Sequence, residues 1–170
     1  MTPEVNEPWA HDQEYTKYTL WFIYACIIYS IIGFTWGALM GGISAFRHLV
    51  DSGVHGQRFV LAHTHVNLLG WVEMAIFGAV YYIIPRLVRR PIYSLRLVKV
   101  HFWLHNFGLL GLVCFFTAAG IAGIYGDEAG EAVASRFMAL GGSFGGLVLL
   151  ANIIWGYNLV RTSVGWRRRI

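Results

Sequence analysis

Four long apolar runs constrain this chain more than any other feature. They cover residues 18–46, 59–84, 98–124 and 137–160, and each meets the roughly 20 residues a helix needs to cross a bilayer core of about 30 Å. Lipid offers no partner to a backbone N–H or C=O, so helices, which satisfy these groups internally, are the expected form. Only 13% of the residues are charged, against the roughly 25% typical of a soluble domain. The expected fold is therefore an all-α integral membrane protein with four transmembrane helices. Turn signals separate the runs: Asp51-Ser52-Gly53 follows the first, Pro85 and Pro91 bracket the second connection, and Gly126-Asp127-Glu128 marks the third. Residues 1–17 read as a polar, acidic N-terminal tail without the pattern of a signal peptide. Residues 18–163 form the membrane domain, and residues 164–170 a basic tail.

Lys and Arg placement orients the spans. Lys17, the second connection (Arg86, Arg89, Arg90, Arg96, Lys99) and the C-terminal end (Arg161, Arg167, Arg168, Arg169) fall on one side, leaving Arg47, Arg58 and Arg136 on the other. Ten against three places both termini in the cytoplasm. The basic balance is thus topological, and nucleic-acid binding is not expected. Cys26 and Cys114 both lie in apolar runs, so no disulfide framework is implied. Small residues recur at one-turn spacing, as Gly33-x3-Gly37-x3-Gly41 and as the pairs Gly141/Gly145 and Gly142/Gly146. Such stripes let helix backbones approach closely, either within the chain or between subunits. Tryptophans near the span ends fit interfacial belts.

The segment with most chemistry is Ala62-His63-Thr64-His65-Val66-Asn67-Leu68-Leu69-Gly70-Trp71. Imidazoles inside a membrane helix are costly without partners and mark function by default. Residues two apart on a helix point about 200° apart, so His63 and His65 face different neighbours and do not chelate one ion together. Each can offer a ring nitrogen to a separate large cofactor, and neutral imidazole is an axial ligand of haem iron. The plainer alternative is a pair of histidines hydrogen-bonded near the headgroups. Asn67, one turn from His63, could orient an imidazole or bind a propionate.

His63-Thr64-His65-x4-Gly70-Trp71, followed by Phe77-Gly78-Ala79-Val80-Tyr81-Tyr82-x2-Pro85, resembles the tenth helix of the catalytic subunit (subunit I) of haem-copper oxidases, most closely the cbb3 type. His101-Phe102-Trp103-Leu104, Leu140-Gly141-Gly142 and Tyr157-Asn158-x2-Arg161-Thr162 resemble that subunit's last two helices. The resemblance implies that His63 and His65 each ligate a haem iron, one haem low-spin and the other high-spin. It also implies haem b, possession of a redox partner protein and residence in the bacterial inner membrane. The family's subunit has twelve helices in three four-helix arcs, whereas this chain offers one arc. It lacks the adjacent His-His pair that helps build the family's copper site, so copper is not expected and oxygen reduction by this chain alone is not supported.

His101 and His105 fall near the start of the third run and are expected at the cytoplasmic side, nearly a bilayer core (about 30 Å) from His63. Their i, i+4 spacing puts them on one face, as a headgroup-level polar patch or as a second metal or proton site. His48 and His55 lie on the outer side in a presumed loop, as solvated residues or as ligands. Glu73, the single acid inside a span, is a candidate proton relay or a protonated carboxyl hydrogen-bonded to a neighbouring helix. Three functions remain open. The first is a b-type haem oxidoreductase or electron carrier acting on electrons or a small gas. The second is a haem-based sensor or carrier of O2 or NO without turnover, and the third an accessory oxidase subunit. A missing axial ligand and the single arc point to a homo-oligomer, dimer or trimer, embedded in the lipid bilayer.

Overall fold

The structure, a computed structural model, describes residues 12–164. Of the two tails, residues 1–11 and 165–170 lie outside the described residues. Among the described residues six α-helices follow one another: α1 (Gln13–Gly42), α2 (Ser44–Val50), α3 (Gly53–His65), α4 (Glu73–Leu87), α5 (Leu95–Tyr125) and α6 (Glu128–Val164). Between α3 and α4 the chain stays helical but widens into a π-helical segment, Val66–Val72. Thus α3, the π segment and α4 form one continuous rod, and four rods are long and apolar enough to span a membrane. This is the expected all-α, four-span architecture.

Local chemistry sets the ends. Asp12 caps α1 by accepting the N–H groups of Glu14 and Tyr15 at 2.9 and 3.1 Å. Ser94 caps α5 by accepting from Leu97 N–H at 3.3 Å. The Tyr157-Asn158-x2-Arg161-Thr162 stretch clamps the connection before α5: Asn158 accepts from Ser94 N–H and donates to Ser94 O, both at 3.0 Å. Thr162 accepts from Tyr93 N–H at 3.0 Å. The expected outer loop is instead largely helical. His48 is exposed on α2 and His55 sits in the first turns of α3.

The helices line up as a row. α1 packs along the π segment and α4, α3 packs on α5, and α6 packs mainly along α5, so α1 and α6 share no packed face. The centre of the row is aromatic. Phe22, Phe77, Tyr81, Met74 and Leu109 are buried there, with Phe22 meeting Phe77, Tyr81 and Phe102 at centroid distances of 5.9, 5.4 and 5.1 Å. Glycines permit the closest approaches. A Cβ at Gly70 would sit 2.6 Å from Tyr29 Cγ, and one at Gly78 2.6 Å from Ile23 Cδ1. Both glycines of the Gly70-Trp71 and Phe77-Gly78 elements therefore seat α1.

Candidate functional site

His63 and His65 end α3, and the helical period turns them to opposite sides, as their spacing requires. His63 faces α1, with its ring 6.3 Å from Trp36 and 3.2 Å from where a Cβ at Gly37 would stand. His65 faces α5, edge-on to Phe116 at 5.5 Å. Gly33 and Gly37, one turn apart on α1, leave the room that Asn67 and His63 fill, because a Cβ at Gly33 would collide with the Asn67 amide. Two members of this glycine stripe thus serve packing inside the chain. Gly41 faces open space, as do Gly142 and Gly146 on α6.

The two rings differ in what their nitrogens do. His65 Nδ1–H donates to Leu61 O at 2.7 Å. A carbonyl can only accept, so this bond fixes the tautomer and leaves the Nε2 lone pair bare, the arrangement that suits an axial metal ligand. His63 lies beside Asn67, whose Nδ2 is 3.2 Å from Nδ1 and 3.4 Å from Nε2, and which also donates to His63 O at 3.0 Å. An amide N–H aimed at the ring occupies a lone pair that an iron would need. His65 therefore fits haem ligation directly, and His63 fits it once the amide turns away. Among the described residues no three His, Cys, Asp or Glu side chains gather to hold a bare ion.

The sequence-based position of His101 and His105 is corrected. Both are 0% exposed and lie in the core of the bundle, not in a headgroup-level patch. α5 starts at Leu95, so six and ten residues of helix carry them about 9 and 15 Å inward. Their rings surround Phe77, at 4.5 and 5.2 Å, with Trp155 of α6 at 5.1 Å on another side. His105 Nε2–H donates to Leu69 O at 3.0 Å, which puts it about six residues, or about 9 Å, along the rod from His63. The expected separation of a whole bilayer core was too large. Two ligands of one iron stand only about 4 Å apart, so these pairs still occupy different levels.

Around Phe77 the chain gathers polar atoms that sequence spacing alone did not bring together. Glu73 Oε2 is 3.7 Å from His105 Nε2, and the Tyr81 hydroxyl is hydrogen-bonded with His101 Nδ1 at 3.1 Å. Glu73 Oε2, His101 Nε2, His105 Nδ1 and Trp155 Nε1 are all buried without a hydrogen-bond partner. Unpartnered buried polar atoms cost roughly 1–3 kcal/mol each, and such costs are tolerated mainly where a function uses the groups.

Two helix irregularities supply the acceptors that tie this cluster down. The π segment offers Leu69 O to His105. Pro85, buried within α4, has no N–H for Tyr81 O, and the Tyr15 hydroxyl donates to that carbonyl instead. Neither device was read from the sequence. Pro85 was the available signal for the second, because a helical proline always frees the carbonyl four residues back. At the other end of the molecule Arg58 donates to Ala119 O at 3.1 Å and pairs with Glu131 at 3.2 Å. His55 Nε2 lies 3.5 Å from the same carboxylate, so His55 is engaged rather than free in a loop.

Comparison with known proteins agrees with this architecture. Residues 9–166 match the family described as "Cytochrome C and Quinol oxidase polypeptide I". The chain is 34% identical over 133 residues to "Cytochrome c oxidase subunit 1 homolog" of Agrobacterium tumefaciens (strain T37), covering 70% of this chain and 25% of that protein. It is 35% identical over 130 residues to "Cytochrome c oxidase subunit 1" of Rhodobacter capsulatus, covering 66% and 24%. Against "Cbb3-type cytochrome c oxidase subunit CcoN1" of Stutzerimonas stutzeri the identity is 31% over 81 residues, 47% of this chain and 16% of the other. The chain spans about a quarter of the length of the first two relatives.

Proposed function

Because the chain belongs to the cytochrome c and quinol oxidase polypeptide I family, we propose that it is a b-type haem protein of the membrane that works in electron transfer or small-gas redox chemistry. The observation that carries this reading is His65, whose Nδ1–H is tied to Leu61 O while Nε2 is bare. Haem iron would supply one-electron chemistry and an axial position for O2 or NO. The residues of this chain do the rest. His65 binds through Nε2, and His63 binds on the opposite side of the rod. Asn67 sets the orientation of the His63 ring, and Glu73, beside His105, holds or passes a proton within the bundle.

One observation favours a second reading. The Asn67 amide already engages His63, which leaves His65 as the readier ligand and would give a five-coordinate, gas-binding haem without turnover. An absorption spectrum of the purified chain, reduced with dithionite, with and without carbon monoxide, separates the two. A spectrum unmoved by carbon monoxide favours electron transfer, and a carbon monoxide complex favours the gas site. Absence of haem bands overturns both and leaves an accessory subunit.

We infer a bacterial inner-membrane location with both termini cytoplasmic, and a homo-oligomer that meets a redox partner protein. The charge asymmetry supports the orientation. The row-like packing, with α6 partnered mainly by α5, and the open faces at Gly142 and Gly146 support self-association. Labelling of single cysteines at Ser52 and Ser163 from outside intact cells tests the orientation, and modification of Ser163 alone reverses it.

A further inference from the structure

At the N-terminal end of α1 two neighbouring clefts share Trp21 and Tyr24. The first, about 600 Å³, carries the polar side chains of Gln13, Thr16, Lys17 and Arg86 beside Leu20. The second, about 550 Å³, is an apolar groove between α1 and α5 that runs past Ala25, Ile28 and Phe102 to Ile32 and Leu110. The cations are held in place by aromatic rings, not by acids. Lys17 Nζ stands 4.8 Å from the centroid of Trp21, and the Arg86 guanidinium 3.6 Å from that of Tyr82. Among the described residues neither one pairs with a carboxylate, and nearby Glu14 is taken by Lys99.

We propose that these two clefts form one binding site for an anionic phospholipid, with its phosphate between Lys17 and Arg86 and an acyl chain in the α1–α5 groove. Length supports this occupant. From Trp21 to Ile32 the groove follows α1 for about 16 Å at 1.5 Å per residue, close to half of a hydrocarbon core of about 30 Å. That is the depth which one leaflet supplies. Charge supports it as well: two cations without counter-ions among the described residues, at the level where Trp21 and Tyr24 mark the interface, attract a negative headgroup more strongly than a zwitterionic one. Gln13 and Thr16 add neutral hydrogen-bond donors around the phosphate position. The floor of the groove is already satisfied, since Tyr29 O–H donates to Asn106 Oδ1 at 2.9 Å and Asn106 donates to Phe102 O at 2.7 Å. It therefore asks for a hydrocarbon chain and not for a polar ring.

The test uses the full chain in mild detergent with dioleoyl phosphatidylglycerol, dioleoyl phosphatidylcholine or inorganic phosphate. Lipid retention is read by native mass spectrometry and stability by the thermal midpoint. Phosphatidylglycerol is expected to stay bound and to raise the midpoint, while phosphatidylcholine and phosphate do neither. The Lys17→Gln/Arg86→Gln variant is expected to weaken retention by at least about tenfold. Ile28→Trp, which fills the groove and leaves both cations, weakens it too, and Arg96→Gln on the exposed side of α5 does not. Equal retention of the two lipids, stabilisation by phosphate alone, or unchanged retention in the folded double variant overturns the site. If the double variant does not fold, Ile28→Trp decides by itself, and unchanged retention there overturns the proposal.

Discussion

His105 donates its Nε2–H to the backbone oxygen of Leu69 across 3.0 Å, from the core of α5 to the π-helical segment. Tyr15 makes the same kind of bond to Tyr81 O, the carbonyl that Pro85 leaves without a helical donor. In both cases an irregular turn frees a carbonyl inside a membrane span, and a side chain from another helix satisfies it. No water stands by in hydrocarbon to do so, which makes these bonds unusually exacting contacts between helices.

His105→Ala is expected to lower stability by about 2–4 kcal/mol, combining a lost buried ring with an orphaned carbonyl. His105→Phe keeps most of the volume and removes only the donor, so about 1–2 kcal/mol is expected. Thermal or denaturant unfolding in a fixed detergent measures both. No loss in His105→Phe would show that the hydrogen bond contributes nothing.

Tyr15→Phe is expected to cost about 1–2 kcal/mol. In a Pro85→Ala background the restored Ala N–H reaches Tyr81 O through the helix, and the same change should then cost under about 0.5 kcal/mol. The double-mutant cycle of stabilities reads the coupling. A coupling energy near zero would break the link between the proline and the tyrosine.

His65→Ala is expected to remove most of the haem, and His63→Ala to remove or perturb a further share. Haem per chain, from the absorbance of the purified variants, is the measurement. Full haem in a well-folded His63/His65 double alanine variant shows that the site lies elsewhere. Asn67→Ala removes the amide at His63 and is expected to increase binding there, visible as a shift of the Soret band.

Gly33→Ala pushes a methyl group into Asn67 and is expected to cost about 1–3 kcal/mol by overpacking. Gly142→Ala and Gly146→Ala meet nothing inside the chain, so within one chain they should stay inside about 0.5 kcal/mol. Native mass spectrometry of Gly142→Leu/Gly146→Leu then asks whether that open face joins subunits. An unchanged oligomer excludes the face as the contact.

Much of the fold is legible in the order of the residues. Runs of apolar residues as long as a bilayer is thick leave the backbone no alternative to helix. The opposed directions of His63 and His65 follow from the helical period alone, and the structure keeps them apart, against Trp36 and Phe116. The motif order from His63 to Thr162 carries the family resemblance. What spacing could not reveal is which face of each span meets protein. In a soluble helix polarity marks the inner face, but a membrane helix is apolar all round, and its packing is chosen by shape and by scattered hydrogen bonds.

That is why His101 and His105 were misplaced. Counting from the apolar run set them at the headgroups, whereas α5 begins earlier and tertiary contacts draw both rings to 0% exposure around Phe77. The sequence by itself determined four spanning helices and the divergence of one histidine pair, because each of these depends on neighbours along the chain. Only the tertiary structure decided that Gly33 makes room for Asn67, that Leu69 O meets His105, and that Glu73 lies 3.7 Å from the same imidazole. Those relations join residues tens of positions apart across helix faces of equal hydrophobicity, so no local pattern could encode them.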